Sequence, residues 1–209
     1  MTTSTKPLGN QENLKHLRLH MRKKRAELNA RDRRRKDASI TKLIIKSSAF
    51  VSSKHIAAYI SDRGEVSVQE TINRALLRNK KVFLPVLDPI DKARMHFVEY
   101  RVDTQLKKNR FGMLEPSLRS GRKINARFLG LVLCPLVAFD AQCHRIGMGG
   151  GFYDRHFAFK NKQPHPSTPK LIGLAYELQK VDGIAPQPWD VPMHSVITER
   201  KLYLPRKNC

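Results

Sequence analysis

The feature that most restricts this chain is the run Gly130-Leu-Val-Leu-Cys134, short, wholly apolar and closed by Pro135. It has no alternation that would leave one side to water, so it reads as a central strand of a parallel sheet, buried on both faces. Parallel neighbours need crossover connections, and the sequence upstream supplies one. A strand at about His55–Ile60 is followed by a loop over Ser61–Val66, then by a helix with Val68, Ile72, Ala75 and Leu76 on one side, then by a second strand over Lys81–Val86. Ser67 and Glu70 have the S-x-x-E spacing of a capping box at the start of that helix. Strand, helix, strand in this order predicts a right-handed crossover. The expected class is α/β, with a mostly parallel sheet carrying helices on both faces in a Rossmann-like, three-layer arrangement.

Apolar residues at 14, 17, 21 and 28 form a narrow stripe on a helix otherwise made of Arg and Lys. Asn29 and Asp32 have the spacing of a second helix start, continued by Ile40, Leu43 and Ile44, which predicts an N-terminal αα-hairpin. Met95 to Tyr100 alternates as a further strand, and Arg101 to Phe128 is a basic, loop-rich segment that reads as a candidate lid. Lys170–Ala175, Ser195–Thr198 and Lys201–Leu204 complete the strands. Residues 1–11 read as a flexible tail and 12–205 as one domain, a size that buries a substantial core.

The 40 Lys and Arg against 18 Asp and Glu leave a net charge of +22, which attracts polyanions: nucleic acid, anionic membrane, nucleotide phosphates or a polyanionic substrate. No zinc-finger, heptad-backed basic or RNA-recognition signature accompanies the charge. No apolar run approaches the roughly 20 residues of a membrane span, and the N-terminus has no signal-like apolar stretch. Three scattered cysteines, Cys134, Cys143 and Cys209, suit reduced thiols, so a cytoplasmic protein is expected. Cys143 and His144 are neighbours, yet adjacent side chains rarely converge on one point, and a structural reading is preferred to a nucleophile.

The chemistry-bearing segment is Arg145-Ile-Gly147-Met148-Gly149-Gly150-Gly151-Phe152-Tyr153-Asp154-Arg155, directly before a helical pattern. Residues without Cβ let backbone N–H groups converge, and with a helix start behind them they form a phosphate cradle. The two familiar glycine motifs of P-loops and dinucleotide folds are absent, and a tight structural turn is the competing reading.

Pro135-Leu-Val-Ala-Phe-Asp140 followed by Arg145 to Asp154 resembles the signature of the 5-formyltetrahydrofolate cyclo-ligase family, and further similarity lies in Leu17-Arg18, Met21 to Leu28, Tyr59 to Glu65, Leu114-Glu115-Pro116 and Trp189 to Pro192. The resemblance covers roughly residues 12 to 204. It implies an enzyme that uses ATP and Mg2+ to convert 5-formyltetrahydrofolate, with or without a polyglutamate tail, into 5,10-methenyltetrahydrofolate, ADP and phosphate. By that resemblance Gly147, Met148, Gly149, Gly150, Gly151, Phe152 and Tyr153 meet the nucleotide, with Arg145, Lys15, Arg18 and Arg22 reaching its other groups. Arg145 and Tyr153 would be catalytic, and Asp154 and Asp190 would hold Mg2+. Glu65 would bind the pterin, Phe111 would stack on it, and Met148 to Phe152 would complete the folate site. Some family members carry lysine where this chain has Gly150, which leaves the charge at the transferring phosphate to Arg145, Arg155 or the N-terminal helix. A monomer without specific nucleic-acid or membrane partners is expected. The rival readings are a sequence-independent nucleic-acid binder and a nucleotide-dependent enzyme acting on a non-folate formamide.

Overall fold

The computed structural model describes residues 11–161 and 168–206; residues 1–10 of the expected tail, and Cys209, lie outside them. The chain runs α1 (Gln11–Ala26), α2 (Ala30–Lys46), α3 (Ser48–Ser52), β1 (His55–Ala57), α4 (Gln69–Leu77), β2 (Lys81–Leu87) and β3 (Met95–Tyr100). It continues through β4 (Leu106–Lys108), β5 (Leu114–Pro116), β6 (Lys123–Ile124), β7 (Leu131–Pro135), β8 (Ala138–Phe139) and β9 (Arg145–Ile146). Helix α5 (Phe152–Phe157) and strands β10 (Lys170–Leu174), β11 (Ser195–Ile197) and β12 (Leu202–Tyr203) complete it.

The apolar run identified in the sequence is β7, at the middle of an eight-stranded sheet ordered β12-β11-β10-β7-β1-β2-β3-β6. Strands β2, β1, β7, β10 and β11 are mutually parallel, and β12, β3 and β6 add antiparallel edges. Register pairs Ile56 with Leu131 and Ile172 with Leu133, so these side chains share one face. On it they pack against Ile40 and Ile44 of α2, Phe50 of α3 and Ile72 and Ala75 of α4. The alternate positions, Ala57, Phe83, Val132, Cys134 and Leu171, face Phe97 and Phe157, the latter from α5. Each fully buried Ile, Leu or Phe of these layers contributes about 1.5–3 kcal/mol relative to exposure. Among the described residues no helix is long and apolar enough to cross a membrane.

Two local expectations are modified. The N-terminal helices form, and Asn29 Oδ1 caps α2 by accepting the Asp32 N–H at 2.8 Å. Their apolar edges, however, bury against different partners rather than each other: Leu14, Leu17 and Met21 of α1 against Val137, Ala138, Ile146 and Ile184, and α2 against the main core. The capping box at Ser67 and Glu70 does not form, since the cap position of α4 is Val68 with no side-chain bond. Ser67 instead donates its N–H to Asp37 Oδ1 at 3.3 Å, and Glu70 pairs with Arg74 at 2.6 Å. A tertiary acceptor on α2 has replaced the local one.

The topology locates the site. From β1 the chain crosses to β2 on one side, while β7, β10 and β11 extend the sheet on the other, so the crevice beyond the carboxyl ends of β1 and β7 is a topological switch point. Buried Asp140 braces the turn leading into it: its Oδ1 accepts the N–H groups of Gln142 and His144, each at 2.9 Å, and its Oδ2 accepts the Ile184 N–H at 3.1 Å. Truncation leaves these buried donors unsatisfied, so Asp140→Ala is expected to destabilise the fold by about 2–4 kcal/mol, read as a lower Tm by calorimetry.

Candidate active site

Strand β9 pairs antiparallel with β8, Phe139 opposite Arg145, and delivers the chain into the glycine segment, which ends at Gly151, the N-cap of α5. Gly149 has φ +97°, a conformation that a side chain would strain. A Cβ on Gly150 would lie 2.8 Å from the Phe152 ring, so a lysine there requires that ring to move. The side chains of this segment separate onto two cavities.

One is a polar cleft of about 610 Å³ against which Gly147, Gly149 and Gly151 lie, faced by Lys15 and Arg18 from α1 and by Arg145, Asp154 and Asp190. Arg18 Nε donates to the Gly147 carbonyl at 2.9 Å. Burial, then the neighbouring Arg22, lower the affinity of the Arg18 guanidinium for its proton. Arg145 donates from Nη1 to the Val191 carbonyl at 2.5 Å and is ion-paired through Nη2 with Asp154, whose Oδ1 also accepts the Val191 N–H at 3.1 Å. Asp190 Oδ2 accepts the Gln187 N–H at 2.8 Å. The cleft thus offers fixed cations and a glycine-lined backbone wall, features suited to phosphate.

The other is a narrower, mostly apolar pocket of about 170 Å³, walled by Met148, Phe152 and Tyr153 on the loop side and by Leu84 and Pro85 of β2 opposite. Its charged lining residues are Glu65 and Glu115. Glu115 is occupied, accepting the Leu87 N–H at 3.1 Å and Asn109 Nδ2 at 2.9 Å. Glu65 accepts the Asp62 N–H at 3.2 Å; burial pushes its carboxyl above the usual range, with that bond and Arg25 opposing the rise. Burial likewise pushes the Tyr153 phenol well above its ordinary value, and its hydroxyl has no hydrogen-bond partner among the described residues. A carboxylate and a free hydroxyl in an apolar slot can fix a flat heterocycle by its edge.

Most residues singled out from the sequence are brought together here, with a finer division than expected. Met148, Phe152 and Tyr153 line the apolar pocket and not the polar cleft. Arg22 and Gly150 line neither cavity, and Arg22 stands beside the loop between them, its Nη2 3.6 Å from Met148 Sδ. Phe111 is half-exposed outside the pocket, edge-on to Phe152 with ring centroids 6.4 Å apart. Arg155 holds the loop from its outer side, donating to the Gly150 carbonyl at 2.6 Å and the Ala93 carbonyl at 3.2 Å. Cys143 is no nucleophile: burial pushes its thiol up to about 11, and Sγ donates to the Tyr203 carbonyl at 3.4 Å while His144 bonds Asp140. Asn109 and Met113 of the expected lid, and Tyr59 and Gln187, line the cavities without having been singled out individually. Only their place beside Leu114-Glu115-Pro116, Glu65 and Trp189 marks them in the sequence.

Among the described residues no group of three or more His, Cys, Asp or Glu side chains is arranged to hold a metal. Asp154 and Asp190 both line the polar cleft, Asp154 ion-paired with Arg145, and they would meet Mg2+ only as one or two carboxylates together with water and substrate phosphate.

Fold and site together define an α/β protein with a polar cleft and an apolar pocket on two sides of one glycine loop. The chain belongs to the 5-formyltetrahydrofolate cyclo-ligase family, whose model matches residues 10–199. It is 37% identical to the 5-formyltetrahydrofolate cyclo-ligase of Haemophilus influenzae over 188 residues, covering 90% of this chain and 98% of that one. Identity to the Escherichia coli K12 enzyme of the same name is 34% over 153 residues, 73% and 82% of the two chains. The structure of Aquifex aeolicus 5,10-methenyltetrahydrofolate synthetase superposes with a TM-score of 0.77 at 26% identity, covering 94% of each chain. The Mycoplasma pneumoniae 5,10-methenyltetrahydrofolate synthetase does so with 0.69 at 25% identity, over 89% and 98%.

Proposed function

We propose that this protein, as a single domain over 12–205, converts 5-formyltetrahydrofolate and ATP into 5,10-methenyltetrahydrofolate, ADP and phosphate. The observation that carries this reading is the division of one loop between two cavities: Gly147, Gly149 and Gly151 on the polar cleft, Met148, Phe152 and Tyr153 on the apolar pocket. Two substrates seated there meet across the loop.

The chemistry requires that meeting. N10 of the folate can attack the formyl carbon, but it cannot expel oxygen as hydroxide. The formyl oxygen therefore first bonds to the γ-phosphorus of ATP as the bond to the ADP oxygen breaks, giving an imidate phosphate. N10 then bonds to the former formyl carbon, its proton is lost, the carbon–oxygen bond breaks, and phosphate leaves with the oxygen. Such a transfer is governed by positioning and charge stabilisation. In this reading the Gly147–Gly151 backbone, Arg145, Lys15 and Arg18 hold the phosphates, and Arg22 approaches from the boundary. Tyr153 directs its free hydroxyl to the formyl group, and Glu65 accepts from the amino-pyrimidinone edge. Phe152 and Met148 sandwich the ring, and Phe111 closes on it from the rim. Asp154 and Asp190 would hold Mg2+, which when bound neutralises phosphate charge. A reduced, cytoplasmic setting and a monomer that takes folates with or without a polyglutamate tail belong to the same reading; the buried free thiols of Cys134 and Cys143 support the former.

The test is the near-ultraviolet absorbance of the methenyl product when protein, 5-formyltetrahydrofolate and Mg2+ are mixed with and without ATP. A rise that needs ATP is expected, and no rise from folded protein would overturn the reading. Glu65→Ala is expected to lower kcat/KM for the folate on the order of 10²-fold through loss of a charge-assisted bond pair. A non-folate enzyme would be indifferent to it.

A further inference from the structure

Arg25 is 1% exposed on α1, and no carboxylate forms an ion pair with it among the described residues. Its Nη2 makes a single bond, of 3.3 Å, to the Arg63 carbonyl, and its Nε has no partner. A buried cation so poorly satisfied is expensive for folding, and an apolar side chain of similar volume would serve the fold as well or better. The stability of the domain therefore does not account for it. Its surroundings do, because Arg25 packs behind the turn that presents Glu65. That turn runs through Arg63 and Gly64, both left-handed at φ 46° and 76°, with Arg25 Cβ 3.7 Å from where a Gly64 Cβ would stand.

We infer that Arg25 is a positioning residue for folate recognition: it holds the 62–65 turn in place and sets a positive charge behind the turn that presents Glu65 to the apolar pocket. The inference rests on the reading of Glu65 as the pterin acceptor. A carboxylate that must accept from an amino-pyrimidinone edge has to be charged, and burial works against this while the Asp62 N–H bond and, after it, the guanidinium work for it. The other groups facing Glu65 do not replace Arg25. Asp62 favours the carboxylate through its backbone N–H but opposes it through its own charge, and Tyr59 and Tyr153 are neutral phenols whose own ionisation Glu65 opposes. Arg63 is more than half exposed and paired with Asp62 at 3.2 Å. Arg33 is spent on the Arg25 and Leu28 carbonyls, at 3.0 and 3.3 Å.

The experiment compares Arg25→Met, Arg25→Lys and Glu65→Gln in the full-length protein, measuring KM for 5-formyltetrahydrofolate, KM for ATP and kcat from pH 6 to 9, with Tm alongside. Without the guanidinium the Glu65 carboxyl holds its proton to higher pH, and each unit of that rise lowers the ionised fraction tenfold once the pH lies below it. Arg25→Met is therefore expected to raise the folate KM most at the acid end of the range, with the defect shrinking as the pH rises. Its KM for ATP and kcat should stay within about twofold and its Tm should be no lower than wild type. Arg25→Lys should restore a flatter profile. Glu65→Gln should raise the folate KM at every pH. If Glu65→Gln leaves that KM unchanged, the pterin reading and this inference fall together. If it raises KM while Arg25→Met changes neither its size nor its pH dependence, the inference alone is overturned. It is overturned equally if the Arg25→Met defect is independent of pH and tracks a fall in Tm, which would mark a merely structural residue.

Discussion

Gly149→Val is expected to reduce ATP-dependent turnover on the order of 10³-fold or more while leaving a folded protein. Gly149 sits at φ +97°, and its missing Cβ would stand 3.6 Å from the Arg18 guanidinium carbon on the cleft wall. A β-branched side chain there is strained by about 1–3 kcal/mol, which the loop relieves by moving, and the isopropyl group enters the space reserved for phosphate. The core layers do not include this loop, so far-ultraviolet circular dichroism and a cooperative melt should be retained. Full activity in a folded Gly149→Val protein would remove the phosphate-cradle assignment. Loss of cooperative melting would show instead that the loop is part of the folding unit.

Arg145→Ala should act on both activity and stability. The guanidinium is only 7% exposed and joins Asp154 to the Val191 carbonyl, so it ties α5 to the segment before β11 as well as facing the cleft. Removing one partner strands the Asp154 carboxylate, itself 23% exposed. Full burial would make this cost several kcal/mol, and the partial exposure reduces it to about 2–3 kcal/mol, a fall in Tm of about 4–12 °C for a chain of this size. Turnover should fall on the order of 10³-fold as the phosphate loses a fixed cation. The double variant Arg145→Ala/Asp154→Ala isolates the stability role, because it should recover part of the Tm; it should recover none of the activity, since both the cation and a proposed Mg2+ ligand are gone. Recovery of activity in the double variant would reduce Arg145 to a neutraliser of Asp154.

Where a residue's fate is set by periodicity or by lack of a side chain, the sequence is readable. The apolar run in β7 and the crossover through α4 form as expected, and β3 forms as a strand, although its burial does not alternate, since Phe97, Val98 and Glu99 are all buried. The glycines of 147–151 announce a place where backbone is exposed to a ligand. Where a residue's fate is set by a distant partner, the sequence is silent. Ser67 and Glu70 have every local mark of a cap, but Asp37, thirty positions earlier, takes the Ser67 N–H. Leu14, Leu17 and Met21 have the spacing of one side of a hairpin, yet their partners lie at 137, 138, 146 and 184. In the site, the role of Glu65 comes from family likeness, since a carboxylate after a glycine is ordinarily a solvated loop residue. Its burial depends on β2 and the 109–115 turn closing around it. Arg25 falls on the apolar stripe of α1, four after Met21 and three before Leu28, so the spacing turns it inward, but nothing in the sequence says that it meets the 62–65 turn there.

The strip from Gly147 to Tyr153 is shared by both cavities, Gly147, Gly149 and Gly151 lining one and Met148, Phe152 and Tyr153 the other. If the two substrates bind as proposed, a ligand that shifts this strip changes the other chamber, and the two sites would then be thermodynamically linked with no separate relay. If bound nucleotide tightens the hold on the folate by some factor, folate must tighten the hold on the nucleotide by the same factor. Product ADP and the cyclised folate should loosen or retain one another by the same reciprocity.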